Sequence, residues 1–216
     1  MPPTEATTTI RAVFWDFGGV ILSSPFDAFN RYEAEHDLPT DFIRSVNARN
    51  PHTNAWALIE RHEVDAATFD GLFAAESEAL GHRVPGRDVL AMLSGGVRDE
   101  MVTALDRVIE AGYLTACLTN NVRSGDGSAD RPEVDAVMDR FDHIVESSKV
   151  GCRKPEPRFY EIACDLAGVE PAECVFLDDL GINLKPARAM GMTTIKVLAA
   201  DQAITDLEQV LGIDLR

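Results

Sequence analysis

The chain has 216 residues, of which 45% are hydrophobic and 26% charged, as in an ordinary globular protein with room for one core and a small second unit. Its formal net charge of −16 argues against nucleic acid or an anionic membrane as a main partner. The segment Met1–Thr9 is polar and lacks the apolar region of a signal peptide. No apolar run approaches the roughly 20 residues of a membrane span.

Apolar runs of strand length alternate with stretches of helical periodicity along the chain. The predicted strands are Ala12–Trp15, Tyr113–Leu118, His143–Val145, Cys174–Leu177 and Thr193–Val197. The predicted helices between the later strands are Met101–Ile109, Phe159–Leu166 and Leu184–Met190, each with a glycine following. This alternation predicts an α/β fold with a Rossmann-like, doubly wound parallel sheet.

Residues 25–94 interrupt that rhythm, because their apolar side chains recur at helical spacing, as in Phe69, Leu72 and Phe73. We predict that they form a helical cap domain, and that residues 1–24 and 95–216 form the core domain. A helical unit inserted beside an active-site loop is suited to act as a lid. The stretch Ser124–Asp130, rich in Gly, Ser and Asp, predicts a flexible surface loop.

The four cysteines lack the spacing of a metal site. They are Cys117, Cys152, Cys164 and Cys174. Cys117 and Cys174 lie in or beside apolar runs, where a buried, reduced thiol is expected. We therefore predict a cytoplasmic protein. A monomer or a homodimer is expected.

Two of the predicted strands end in carboxylates, at Asp16 and at Asp178-Asp179. Ligands bind beyond the carboxyl ends of parallel strands, so three carboxylates could meet there and require a cation such as Mg²⁺. Taken alone, Asp16 would more often cap a turn, and the Asp pair would more often be an exposed acidic turn. Asp-Phe-Gly also occurs in protein kinases, but the Gly-rich and catalytic loops of a kinase are absent.

Further polar residues stand at corresponding places between these two strand ends. Thr119 and Asn120 end a strand with a hydroxyl and an amide, which suit hydrogen bonding to a phosphate oxygen. Lys154 precedes a helix expected to begin near Pro157, where it can neutralise both the acidic cluster and a phosphoryl group. Each residue alone is more often structural. Their order along the chain, each at a strand end or in the loop after one, indicates a single site.

In this order of motifs the chain resembles the haloacid dehalogenase-like superfamily over essentially its whole length from Arg11. Within the superfamily it resembles the N-terminal phosphatase domain of soluble epoxide hydrolases. That likeness is carried by the run Phe176–Met192, with Asp178, Asp179, Asn183, Lys185 and Pro186, and by the ending Leu211-Gly-Ile-Asp-Leu215. The match stops where a second, hydrolase domain would start, so a stand-alone version of the phosphatase domain is expected.

The resemblance implies a role for each matching residue. Asp16 matches the nucleophile that forms an aspartyl-phosphate, and Lys154 matches the lysine that stabilises this nucleophile and the phosphoryl group. Thr119 and Asn120 match the phosphate-holding motif. The metal ligands implied are Asp16, the backbone carbonyl of Gly18, Asp178 and Asp179, with Asn183 supporting the water shell of Mg²⁺.

One position departs from the family pattern. Phosphatases of this family usually carry a second Asp two residues after the nucleophile, as general acid and base, and here that residue is Gly18. Loss of such proton transfer costs roughly 10²–10⁴ in rate, so we expect a slower enzyme or one that favours good leaving groups, such as acyl or aryl phosphates. A substitute acid could come from the cap, although no residue of the sequence identifies it.

The resemblance thus predicts a Mg²⁺-dependent phosphatase for a small phosphorylated metabolite. Arg49, Asn50 and Arg123 are predicted to contact that substrate, although each alone is more often a solvated surface residue. Two alternatives stay open: a 2-haloacid dehalogenase, which uses the same nucleophile without metal, and a low-turnover phosphate-binding or regulatory protein. The acidic pair argues against the first, whereas Gly18 makes the second possible.

Overall fold

A computed structural model describes residues 9–93, 95–120 and 131–216 of the chain. Its centre is a five-stranded parallel sheet with the strand order β3-β2-β1-β4-β5. The strands are β1 (Ala12–Trp15), β2 (Leu114–Thr119), β3 (His143–Glu146), β4 (Cys174–Asp178) and β5 (Thr193–Lys196). All five predicted strands are confirmed to within one residue at each end, as is the doubly wound α/β fold. The predicted N-terminal tail and the loop Ser124–Asp130 lie wholly or almost wholly outside the described residues.

Eleven α-helices accompany the sheet in the described ranges. They are α1 (Phe26–Glu35), α2 (Phe42–Ala48), α3 (Ala55–Glu60), α4 (Ala66–Glu78), α5 (Gly86–Ala91), α6 (Asp99–Glu110), α7 (Pro132–Met138), α8 (Ser147–Val150), α9 (Pro157–Ala167), α10 (Gly181–Ala189) and α11 (Ala200–Leu211). None of the described helices has the length and apolar character needed to cross a bilayer.

The sheet is buried on both faces because successive side chains of a strand point to opposite sides. In β1, Val13 and Trp15 pack in a cluster with residues of α6 and α11, whereas Ala12 and Phe14 pack in a second cluster with residues of α9 and α10. This explains why β1 reads as a continuous apolar run. All four cysteines are buried, as predicted for Cys117 and Cys174.

The helices α1–α5, here called the inserted helices, follow β1 and have a hydrophobic cluster of their own. Large buried members of this cluster include Phe29, Phe69 and Phe73. The chain enters and leaves the inserted helices side by side. Leu22 and Val97 form an isolated antiparallel bridge, and the Ser23 amide donates to the Gly96 carbonyl over 2.8 Å.

Candidate active site

The ends of the two central strands bring the predicted carboxylates together. β1 pairs with β4 so that Trp15 lies opposite Leu177, and the Asp16 amide donates to the Leu177 carbonyl over 2.8 Å. Asp16 therefore stands level with Asp178, the last residue of β4. Carboxylate oxygens of Asp16, Asp178 and Asp179 all lie within 4.8 Å of one another.

A tight turn over Phe17–Ile21 carries the chain away from Asp16. The Asp16 Oδ1 accepts the Phe17 amide proton over 2.6 Å, which fixes the carboxylate at the start of the turn. Gly19 has a positive φ of 79°, and a Cβ there would overlap the Asp179 carboxylate. At Gly18, by contrast, nothing lies within 4 Å of the position of a Cβ. Gly19 is thus required for the close approach of Asp179, whereas Gly18 leaves open space.

Lys154 is the cation that joins two of these carboxylates. Its Nζ lies 2.8 Å from Asp16 Oδ1 and 2.7 Å from Asp178 Oδ2, and its side chain is only 1% exposed. Burial acts to lower the pKa of Lys154, but the attraction of Asp16 and Asp178 prevails and holds this pKa well above its ordinary value. The lysine therefore stays charged in the buried site.

Asp178 and Asp179 have different surroundings. Asp178 is fully buried, and besides Lys154 it accepts hydrogen bonds from the Leu180 amide at 2.7 Å and from Asn183 Nδ2 at 3.1 and 3.0 Å. Asp179 is partly exposed and faces an open cavity, with Ser24 Oγ 3.4 Å from its Oδ2. Asp178 thus orients Lys154, and the Asn183 amide holds Asp178.

The charges of this cluster leave room for a divalent cation. Three ionised carboxylates carry −3 and Lys154 supplies +1, so the cluster lacks two positive charges. Burial, opposed by Lys154, raises the pKa of Asp16, and the repulsion of Asp178 and Asp179 raises it further. Burial and Asp178 raise the pKa of Asp179 to about 6. An all-oxygen set of this charge is of the kind that hard divalent cations prefer, so the residues fit such an ion.

The loop that carries Lys154 is tied to the end of β2 by Asn120. The Asn120 Nδ2 donates to the Lys154 carbonyl and the Asn120 Oδ1 accepts from the Lys154 amide, both at 2.9 Å. The amide predicted to bind phosphate is therefore engaged with the backbone of the lysine and positions it. Thr119, buried at the end of β2, lines the cavity.

A cavity of about 490 Å³ opens between this cluster and the inserted helices. Asp16, Gly18, Asp179, Lys154 and Asn120 line its floor. Its apolar lining consists of Pro25, Phe26, Phe29, Ala48, Pro51, Trp56, Pro155, Leu180 and Ile182. A small group can therefore lie against the carboxylates while an apolar remainder contacts the inserted helices.

Two of the predicted substrate contacts are not brought to this cavity. Arg49 and Asn50 are exposed and do not line it, and Arg123 lies outside the described residues. The same region contributes Arg44, Asn47 and Asn54 to the lining instead.

Sequence reasoning also missed Glu60 and Arg153, which line the cavity and form an ion pair at 2.5 Å. A charged residue directly after the apolar run Ala57-Leu58-Ile59 was the available signal for Glu60.

Two similar proteins are much longer than this chain. The chain is 32% identical over 212 residues to acyl-CoA dehydrogenase family member 10 of Mus musculus, covering 95% of this chain and 19% of that protein. It is 31% identical over 221 residues to bifunctional epoxide hydrolase 2 of Sus scrofa, covering 95% of this chain and 40% of that protein. The chain thus spans about a fifth to two fifths of the length of these relatives.

One relative has nearly the same extent as this chain. A sesquiterpene phosphatase of Aspergillus oryzae is 26% identical over 209 residues, covering 95% of this chain and 98% of that protein. Among solved structures, a HAD family enzyme of Bacteroides thetaiotaomicron in complex with magnesium and inorganic phosphate has a similar fold. The two share 19% identity at a TM-score of 0.59, over 92% of this chain and 98% of that one.

The sheet order, the strand-end carboxylates and the buried lysine agree with the family indicated by the sequence motifs. A family model of haloacid dehalogenase-like hydrolases matches residues 10–191, most of the chain. The chain therefore belongs to the haloacid dehalogenase-like hydrolase family.

Proposed function

We propose that this chain is a Mg²⁺-dependent phosphatase that hydrolyses a small phosphorylated metabolite through an aspartyl-phosphate on Asp16. The observation that carries this proposal is the buried Lys154, which contacts Asp16 and Asp178 at the floor of an open cavity. In the proposed architecture the inserted helices act as the cap over a core domain formed by residues 1–24 and 95–216.

The acidic cluster is the proposed magnesium site. Asp16, Asp178, Asp179 and the backbone carbonyl of Gly18 would hold the ion, which supplies positive charge against the phosphoryl oxygens. The magnesium complex of the Bacteroides enzyme supports the choice of metal. The cluster also favours a phosphatase over a dehalogenase, because metal-free displacement of a halide has no use for three buried or half-buried carboxylates.

The residues of the chain divide the remaining work. Asp16 Oδ, held at the start of its turn by the Phe17 amide, attacks the phosphorus atom. Lys154 offsets the charge of the nucleophile and of a phosphoryl oxygen, and Thr119 lines the place where another oxygen would lie. Asn120 keeps the lysine loop against β2. The apolar lining would take up a carbon-rich leaving group. The sesquiterpene phosphatase among the relatives supports a leaving group of this kind.

A direct assay tests the proposal. The protein is incubated with 4-nitrophenyl phosphate and with a panel of small metabolite phosphates, before and after removal of divalent ions by a chelator. We expect turnover that chelation abolishes, because the acidic cluster without its metal ion lacks a neutralising charge. Added Mg²⁺ should restore the turnover. Inactivity in wild type with Mg²⁺ bound would favour the phosphate-binding alternative, and release of halide from 2-chloropropionate would favour the dehalogenase.

Substitution of Gly18 by Asp is expected to raise turnover of alkyl phosphates more than that of aryl phosphates. The open space around Gly18 accepts a side chain, and a carboxyl group there can protonate an alkoxide, which is a poor leaving group. The phenolate of an aryl ester departs without such protonation. Steady-state kcat on 4-nitrophenyl and n-hexyl phosphate measures the effect, with Gly18→Asn as the control of equal size. An equal gain in both variants would exclude proton transfer as its cause.

A further inference from the structure

The missing carboxylate at Gly18 directs attention to the other acids of the cavity. Among the described residues that line it, the carboxyl groups belong to Asp16, Asp179 and Glu60. The first two are assigned above to the nucleophile and the metal site. Glu60 is the cavity acid without a role in the proposed mechanism.

Glu60 is the last residue of α3 and is held where the inserted helices meet the core. Its Oε2 lies 2.5 Å from Arg153 Nη2, and its backbone carbonyl accepts a 2.5 Å hydrogen bond from Ser147 Oγ. Arg153 immediately precedes Lys154 and also donates to the Pro51 carbonyl over 2.7 Å. The carboxyl is therefore fixed beside the lysine loop rather than free in solvent.

The surroundings of Glu60 allow it to exchange a proton near neutral pH. Burial raises its pKa to about 7, against the lowering effect of the positive charges of Arg153 and Lys154 and of hydrogen bonding with Trp56 and Asn120. Arg61, whose own pKa Glu60 helps to raise, is a further charged group near it, and Glu156 lies 3.9 Å from Arg61. Since Arg153 also bonds to Pro51, the arginine keeps a partner when Glu60 is protonated.

We propose that Glu60 is the general acid and base that replaces the family carboxylate absent at Gly18, an inference that rests on the proposed phosphatase function. As Asp16 Oδ bonds to phosphorus, the bond from phosphorus to the ester oxygen breaks with its electron pair on that oxygen. The oxygen takes the proton of the Glu60 carboxyl and departs as an alcohol. Glu60, now a carboxylate, accepts a proton from a water molecule as the oxygen of that water bonds to phosphorus. The bond from Asp16 to phosphorus breaks, releasing phosphate, the free Asp16 carboxylate and protonated Glu60.

Substrates with different leaving groups distinguish a role of Glu60 in proton transfer from a purely structural role. Glu60→Gln is expected to lower kcat on n-hexyl phosphate roughly 10²–10⁴-fold, because an alkoxide needs a proton to depart. On 4-nitrophenyl phosphate its pre-steady-state burst of nitrophenolate should persist at a near wild-type rate, followed by slowed steady turnover. The matched control is Glu63→Gln, an exposed acid of the same region that pairs with Arg61 outside the cavity lining. It should leave both substrates unaffected.

Two further measurements complete the test. The wild-type kcat on n-hexyl phosphate should fall above a pH near 7, and this limb should be missing in Glu60→Gln. Gly18→Asp should restore n-hexyl phosphate turnover in the Glu60→Gln background, because the family carboxylate returns. If Glu60→Gln does not fold, Glu60→Asp replaces it, and a normal burst with slowed alkyl turnover is again expected.

The outcomes are distinguishable. Equal losses in burst and alkyl turnover, with no rescue by Gly18→Asp, would assign Glu60 to structure alone, and unchanged kinetics would remove it from the reaction. Either result leaves the phosphatase intact if wild type still hydrolyses 4-nitrophenyl phosphate. Absence of any nitrophenolate release by wild type with Mg²⁺ would overturn the proposed function together with this inference.

Discussion

Replacement of Asp16 by Asn is expected to abolish phosphatase turnover without unfolding the protein. An amide oxygen cannot form the phosphoenzyme, so we expect a loss of at least about 10⁴-fold, the scale seen when a nucleophile is removed. The fold should persist, because Asn can still accept the Phe17 amide proton and because the charge lost is one repelled by Asp178 and Asp179. Kinetic assays and thermal unfolding of the variant measure the two effects.

The phosphoenzyme itself provides the control for this variant. Acid-quenched wild type incubated with a phosphate donor should carry a covalently bound phosphoryl group, and Asp16→Asn should carry none. Asp135→Asn, at an exposed position of α7, is the matched control and should behave as wild type. Residual turnover in Asp16→Asn that is sensitive to chelation would contradict a nucleophilic role of Asp16.

Replacement of Lys154 by Met is expected to cost both activity and stability. It leaves the Asp16 and Asp178 carboxylates buried without their cation, and breaking a buried pair in this way typically costs about 3–5 kcal/mol. Added Mg²⁺ should raise the unfolding temperature of the variant more than that of wild type, because the ion is then the main positive charge in the cluster. Thermal unfolding over a range of Mg²⁺ concentrations measures this difference.

Two controls accompany the lysine variant. Lys196→Met removes an exposed lysine of β5 and should have little effect on stability or turnover. Lys154→Arg keeps the charge with a larger head group, so it should recover stability more fully than activity. If Lys154→Met and wild type were equally stable when both are measured without Mg²⁺, the proposed contribution of the Lys154 ion pairs to stability would be contradicted.

Much of the fold could be predicted from sequence because β1 and β4 are short apolar runs that stop at carboxylates. The period of the side chains, the strand ends and the motif order specify a parallel sheet with acids at one edge. The strand order could not be derived from periodicity. It depends on which strands, distant in sequence, lie side by side, such as β1 and β4.

The candidate site divides in the same way. Asp16, Lys154 and Asp179 stand beside recognisable local patterns, and the structure brings them together. Glu60 and Arg153 are 93 positions apart in sequence and meet only through packing of α3 on the core. Arg49 and Asn50 read as a polar loop, but the orientation of α2 places Arg44 and Asn47 in the cavity instead. The side chains that a short helix turns toward a cavity depend on the elements packed against the helix, and the sequence alone does not specify those elements.

The pairing of Leu22 with Val97, and of Ser23 with Gly96, has a consequence for how this scaffold can change over evolution or in the laboratory. The chain leaves and re-enters the core at adjacent points, so the sheet does not depend on the length of what lies between them. Closing a gap between adjacent ends has an entropic cost that grows only slowly with loop length. A hairpin turn or a differently shaped helical module could therefore replace the segment between these adjacent points without changing the strands that hold Asp16 and Asp178.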